Sequence, residues 1–205
     1  MQTPILQSER FYCTNLNSSA SDKEDIDKFT IDRDEGAGLL NYLQNYALKE
    51  EQLGIMRTYI VRDKKTSETV GYFSLKSGLI SINERIIEVK DESTGERKNE
   101  TTFDTIPGIE LANFAINSSF IHNHSELKGI GIIIFNKFIL PIVRHVSEYI
   151  GVKILYIFAL PEESLIKSYH ERYGFDRLGD PYEDELHKRV KPFYDRSCTF
   201  MFLNL

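Results

Sequence analysis

The chain has 205 residues and a mass of 23.8 kDa, enough for one domain spanning 1–205 with a substantial core, since domains usually hold roughly 100 to 200 residues. Hydrophobic residues at 41% and charged residues at 27% exclude the apolar-poor composition of a disordered chain. With 25 Lys plus Arg against 31 Asp plus Glu, the net charge of -6 excludes a whole-surface attraction for phosphate backbones, though not a local basic patch.

Ser8 to Thr14 is expected to form a first strand, followed by a polar run, Asn15 to Asp27, suited to turns and helix starts. Leu39, Leu40, Leu43, Tyr46 and Ala47 recur at helical spacing behind Asp34 and Glu35, so a helix is predicted from Asp34 to about Gln52. Met56 to Arg62 and Thr69 to Leu75 are β-branched and aromatic runs around a polar turn, and read as an antiparallel hairpin. Asn83 to Glu100 reads as a charged, solvated excursion with a small hairpin. Ile106 to Ile116 is the next core strand. It leads through a polar loop, Asn117 to Lys128, into an apolar helix, Ile130 to Ile150, that Pro141 should bend. Val152 to Phe158 has the near-continuous apolar character of a strand covered on both faces. Glu162 to Tyr173 then reads as a short helix closed by Gly174, and Cys198 to Leu203 as a last strand. The order implies an α/β fold: a mixed sheet with helices on its faces.

No basic n-region precedes an apolar core at the N-terminus, and Asn136, Lys137 and Arg144 interrupt the most apolar stretch. A protein neither secreted nor membrane-spanning is expected. Cys13 and Cys198 supply neither a disulfide framework nor a four-ligand zinc site, which points to a reduced, cytoplasmic protein without a metal. His122 and His124 lack completing ligands and read as solvated loop residues.

The chemistry-bearing feature is Lys128-Gly-Ile-Gly131, between a predicted strand and an apolar helix. Glycines let the backbone approach an anion, and a helix start adds partial positive charge, so a pyrophosphate suits the turn; tight turning alone would use the same glycines. No Gly-Lys-Ser/Thr follows, and no third glycine stands two residues on, which disfavours ATP and NAD.

Three motifs in order resemble the GCN5-related N-acetyltransferases, over about Phe29 to Leu205. Leu111-Ala-Asn-Phe-Ala-Ile116 resembles that family's bulged fourth strand, which implies that Phe114, Ala115 and Ile116 meet the pantetheine of acetyl-CoA. Glu126-Leu-Lys-Gly-Ile-Gly131 is similar to the pyrophosphate loop, and implies contacts from Lys128, Gly129, Ile130 and Gly131. Here Glu126 stands where Arg or Gln is usual, a repulsive neighbour for phosphates unless it faces solvent. Ser168-Tyr-His-Glu-Arg-Tyr-Gly-Phe175 resembles the Tyr-x-x-x-Gly-Phe ending of the fourth helix. The resemblance implies a mostly antiparallel central sheet with helices on both faces, acetyl-CoA as cosubstrate without a metal, and direct transfer to a primary amine. It makes Tyr169 the general acid for the departing thiolate. Glu162-Glu-Ser164 falls where the family contacts pantetheine, with Ser164 a cofactor contact. Glu110, at the start of the bulged strand, is the candidate general base; the alternative is a carboxylate that only flanks the strand or faces solvent.

Asn41 to Leu48, Arg57 to Val61, Val70 to Leu75 and the C-terminal Thr199 to Leu205 resemble the subgroup that includes bacterial toxins acetylating aminoacyl-tRNA. Such enzymes need basic surface for tRNA phosphates. The local cations at His187 to Lys191 and Arg196 follow directly on Glu183-Asp-Glu185, and read as a solvated charged loop. The leading expectation is therefore an acetyltransferase of undetermined amine, monomeric or homodimeric, with the tRNA-directed toxin as one alternative. A binding module that has lost its chemistry, motivated by Glu126, is the other.

Overall fold

The computed structural model describes residues 5–17, 19–180, 182–189 and 197–205, without the side chains of 20 and 82–84. The chain divides into two compact units, Met1–Ser77 with Ile109–Ile150, and Gly78–Gly108 with Gly151–Leu205.

In the first unit, β1 (Leu6–Gln7) turns through Ser8 into β2 (Phe11–Asn15), because the Ser8 hydroxyl accepts from the Phe11 amide at 3.0 Å and splits the single strand expected there. β2 pairs antiparallel with β3 (Arg57–Asp63), and β3 with β4 (Thr69–Lys90). The predicted hairpin is present. Its ladder carries an irregularity in which Val61 faces Gly71 and Arg62 faces Thr69, leaving Val70 as the extra residue. β5 (Arg97–Ile116) follows β4 in the sheet order.

The polar run after β2 becomes α1 (Ala20–Lys28), capped by the Ser19 hydroxyl on the Asp22 amide. The helix expected over 34–52 is a 3-10 turn, Asp34–Gly36, followed by α2 (Ala37–Asn45) and α3 (Ala47–Gln52). The break falls at Tyr46, whose φ of -123° is not helical and whose ring is exposed. Leu16, Phe29, Leu43, Ala47, Ile60, Tyr72 and Ala115 make one buried cluster that pins these helices to the sheet. Burial of this kind, rather than helix propensity, holds such short helices.

Two further elements depart from expectation. The polar loop after β5 contains α4 (Ser118–Asn123), started by the Asn117 side chain. The apolar helix runs as α5 (Ile130–Ile134), a π-turn at Phe135–Ile139 and α6 (Leu140–Ser147). The irregularity lies in the turn before Pro141, where the ring crowds the preceding carbonyls and the missing N–H leaves one unpaired. Ile130–Ser147 is long and apolar enough to cross a membrane by composition, yet Ile134, Phe135, Phe138, Ile139 and Val143 are buried in the protein.

In the second unit the charged excursion is an extended β4–β5 hairpin closed by a turn in which Asp91 accepts from the Ser93 and Thr94 amides. β6 (Ile154–Ala159) pairs antiparallel with β8 (Thr199–Asn204), and β8 with β7 (Asp176–Arg177). Ile80, Ile154, Tyr156, Leu186 and Phe200 form its core. α7 (Glu163–Tyr173) ends on Gly174 at φ 78°, as the sequence implies. The stretch read as a charged loop is, through Arg189, helix α8 (Tyr182–Arg189): Leu186 is fully buried and the Arg189 guanidinium stacks 3.9 Å from the Phe103 ring. Lys191 and Arg196 lie outside the described residues. All five pairings named, β1–β2, β2–β3, β3–β4, β6–β8 and β7–β8, are antiparallel, so the architecture is the expected mixed α/β one with a mostly antiparallel sheet.

Candidate functional site

The glycine turn is built as its residue types require. Gly129 caps α5 at φ 68°, a left-handed conformation that costs an L-residue with a side chain about 1–2 kcal/mol. The first helical bond runs from the Ile133 amide to the Gly129 carbonyl, at 3.1 Å, so the amides of 130–132 have no partner within the helix. Ile130 and Gly131 edge a cavity of about 430 Å³ lined by Ile116, Ile121, His122, Leu127 and the Lys128–Gly131 turn. Lys128 is exposed and has no ion-pair partner among the described residues, and the lining contains no carboxylate. Open space, unpaired amides and one free cation fit a diphosphate.

The structure therefore brings Ile116, Lys128, Gly129, Ile130 and Gly131 around one cavity. Phe114 and Ala115 precede Ile116 on β5 but are not part of the lining. Glu126 is also outside it. Its side chain is 65% exposed, with Oε1 3.7 Å from Nδ1 of His124, so the repulsion that its position suggested is not directed into the cavity. The one ladder irregularity given by the described pairings, at Val61 and Arg62, is not in the strand expected to bulge.

His124 differs from the solvated residue expected. Its ring lies 4.3 Å from that of Phe120, and Nε2 sits 2.7 Å from Oε2 of Glu68. That hydrogen bond, with help from Thr66 and Asn123, holds the Glu68 carboxyl below its usual range. His122 is exposed, as predicted, 3.2 Å from Asp32. No group of three metal-binding side chains occurs among the described residues.

Glu110 does not face solvent. It is buried at 5% exposure, with Oε2 3.2 Å from the Lys76 ammonium on β4. Burial pushes the Cys13 thiol up to about 12, which removes it as a nucleophile at neutral pH.

In the second unit, Tyr169 lies on α7 with its ring 5.4 Å from Tyr173 and 5.8 Å from Phe175, the latter edge-on. The Tyr-to-Gly-Phe spacing has a local cause: the Phe175 amide donates back to the Tyr169 carbonyl at 3.1 Å, and the Gly174 amide to that of His170 at 3.2 Å. The His170 ring adds a bond from Nδ1 to the Phe175 carbonyl, at 2.9 Å. Tyr169 keeps part of its surface exposed, but burial of its phenol, with a smaller effect of Tyr173, raises its pKa well above the usual tyrosine value. Ser164 is exposed on the first turn of α7.

Sequence reasoning missed Asn117. Its side chain accepts from the Thr30 and Ser119 amides, both at 3.2 Å, and donates to the Thr69 carbonyl at 2.9 Å. Its own amide takes the carbonyl of the extra residue, Val70. The available signal was an Asn before Ser-Ser-Phe, a helix-cap pattern.

No family model matches the chain. Among solved structures it is similar to a variant of KacT, with TM-score 0.62 and 16% identity over 96% of this chain and 95% of that one. It is similar to a variant of the toxin AtaT bound to the C-terminus of the antitoxin AtaR and acetyl-CoA, with TM-score 0.56 and 15% identity over 95% and 92%. AtaT complexed with acetyl-methionyl-tRNAfMet matches with TM-score 0.60 and 16% identity over 95% and 94%. At these identities the likeness establishes the fold alone: the chain shares with these proteins the mixed α/β fold that the motif resemblance implied.

Proposed function

We propose that this protein is an acetyl-CoA-dependent N-acetyltransferase whose acceptor is the α-amino group of an aminoacyl-tRNA, and that it acts as a toxin countered by an antitoxin. The observation that carries the cofactor reading is the open, carboxylate-free cavity at Gly129–Gly131, with Lys128 unpaired at its edge. The acceptor reading rests on the neighbours of the same fold, one bound to acetyl-CoA and an antitoxin segment and one to an acetylated aminoacyl-tRNA.

In this reading the amides of 130–132 and the Lys128 ammonium hold the diphosphate, Ile116 lies alongside the pantetheine with Phe114 and Ala115, and Ser164 adds a polar contact. Acetyl-CoA supplies the thioester. Glu110 takes a proton from the acceptor ammonium, once Lys76 has moved from its carboxylate. The freed amine forms the carbon–nitrogen bond as the carbon–sulfur bond breaks, Tyr169 gives its phenolic proton to the departing sulfur, and the surplus proton on the new amide nitrogen leaves to restore the phenol. A tyrosine whose pKa is raised by burial remains protonated throughout the neutral range, as an acid must. A small amine is the second reading, favoured by the net charge of -6.

Thiol release from acetyl-CoA, with charged and uncharged tRNA and with free amino acids as acceptors, tests the proposal. Turnover is expected with charged tRNA, and Tyr169→Phe should lower it by on the order of a hundredfold without weakening acetyl-CoA in calorimetry. No heat with acetyl-CoA overturns the cofactor reading. Equal turnover of free amino acids overturns the tRNA acceptor.

A further inference from the structure

A second cavity in the first unit, of about 1150 Å³, lies over the β3–β4 turn, α1 and α4. Its walls carry three cations, Lys28, Arg62 and Lys64, and three carboxylates, Glu24, Asp25 and Glu68, and all six are engaged within the protein. The bond made by Glu68 reaches beyond that cavity, to the segment that carries the glycine turn.

Glu68 accepts from Nε2 of His124 at 2.7 Å, and on the other side of the ring Nδ1 lies 3.7 Å from Oε1 of Glu126. The ring itself packs on Phe120, with centroids 4.3 Å apart. Among the described residues, the charged groups paired with His124 are Glu68 from the β3–β4 turn and Glu126 from its own segment; Phe120, and Asn123 which shares Glu68, are uncharged. An imidazole protonated on both nitrogens presents one N–H to each carboxylate and attracts both at once. The His124 carbonyl accepts from the Leu127 amide at 2.9 Å, so Ser125 and Glu126 are the middle residues of a tight turn that ends directly before Lys128.

Of residues 125–131, all but Glu126 line the cavity at the glycine turn. With 65% of its side chain exposed and a lining residue on either side, Glu126 has little packing of its own to keep it out. Turned inward, its carboxylate would face the same phosphates as Lys128 and oppose them. From this juxtaposition, a histidine braced by Glu68 and Phe120 and set against the acidic residue of the turn, we infer that His124 is a positioning residue for the cofactor: it keeps the Glu126 carboxylate off the diphosphate site. The inference rests on the acetyl-CoA reading of that cavity. It also accounts for an acidic residue where the family resemblance places Arg or Gln.

A double-mutant cycle read by calorimetry with acetyl-CoA tests this. Glu126→Gln alone is expected to change the affinity by less than about twofold, because the carboxylate is already held away. His124→Phe, which keeps a ring against Phe120 and removes both nitrogens, should weaken acetyl-CoA by about fivefold, and Glu126→Gln added to it should bring the affinity back to within about twofold of wild type. A mere loss of packing at position 124 would not be repaired by a change at 126. Should His124→Phe fail to fold, Glu68→Ala takes its place in the cycle, with a smaller loss of about threefold that Glu126→Gln again repairs. Wild-type binding with the same effect of Glu126→Gln in both backgrounds overturns the role of His124 and leaves the cofactor reading standing. No heat from the wild-type chain overturns both.

Discussion

The two cavities of the first unit differ in lining and in electrostatic character, one walled mainly by Ile, Leu and Gly and the other by hydroxyl, amide and charged side chains. At the glycine turn there is one cation, Lys128, with no partner among the described residues and no carboxylate in the lining. In the larger cavity three cations and three carboxylates are consumed by each other and by nearby polar groups. A count of charged residues would rate the larger one the better anion site. Pairing reverses the ranking, because a guanidinium held between two carboxylates and Thr14 is already neutralised by its partners, and an ammonium without one is not.

The comparison breaks most visibly at Arg62. Arg62→Leu should cost about 3–5 kcal/mol in denaturant unfolding, since Asp22 and Asp25 would be left as carboxylates around a buried, uncompensated site; acetyl-CoA affinity of the folded fraction should not change. Burial alone works against the Arg62 charge, but Asp25 and Asp22 outweigh it and raise its pKa, so the guanidinium stays charged across the working pH range. Asn117→Ala should cost about 2 kcal/mol, because it frees the Thr69 carbonyl and the Thr30 amide together; a thermal melt reads it. Lys128→Ala should leave the melt alone and weaken acetyl-CoA by about tenfold, an effect that shrinks at high salt in calorimetry.

Acid sharpens the contrast further. Burial of Asp63 works to raise its pKa, but the Arg10 guanidinium and the amides of Lys65 and Thr66 prevail and hold it low; Glu68 is held low chiefly by His124. A carboxyl with a depressed folded pKa contributes stability that is present above its unfolded value and lost as the pH falls through the folded one. Melting temperature should therefore drop as the pH goes below about 4, with the first loss of protection at the β3–β4 turn in hydrogen exchange. The smallest effect belongs to Glu126→Gln, which should change acetyl-CoA affinity by less than about twofold, because the carboxylate lies outside the cavity.

Much of this was legible in the residues. The β3–β4 hairpin, the strand ending at Ile116, the glycine turn into an apolar helix and the Tyr169 helix closing on Gly174 all follow from period and punctuation, which are local properties. What escaped was set by partners far along the chain. Tyr46 breaks a helix that periodicity makes continuous, α4 forms because Asn117 is caught by Thr30, and α8 is a helix because Leu186 and Arg189 find Ile80's core and Phe103. His124 and Glu68 are 56 positions apart, so no spacing rule joins them.

For this protein the sequence alone determined the order of strands and helices and the place of the glycine turn, because backbone preference and hydrophobic period act over a few residues; Tyr169 was singled out by the family resemblance of its motif. Only the tertiary structure decided which charges are spent and which are free. Glu126 turns from the turn it seemed to spoil, Glu110 meets Lys76, and Arg62 is locked between two aspartates. Those outcomes depend on distance and burial, through which Coulomb's law acts, and neither is written in residue order.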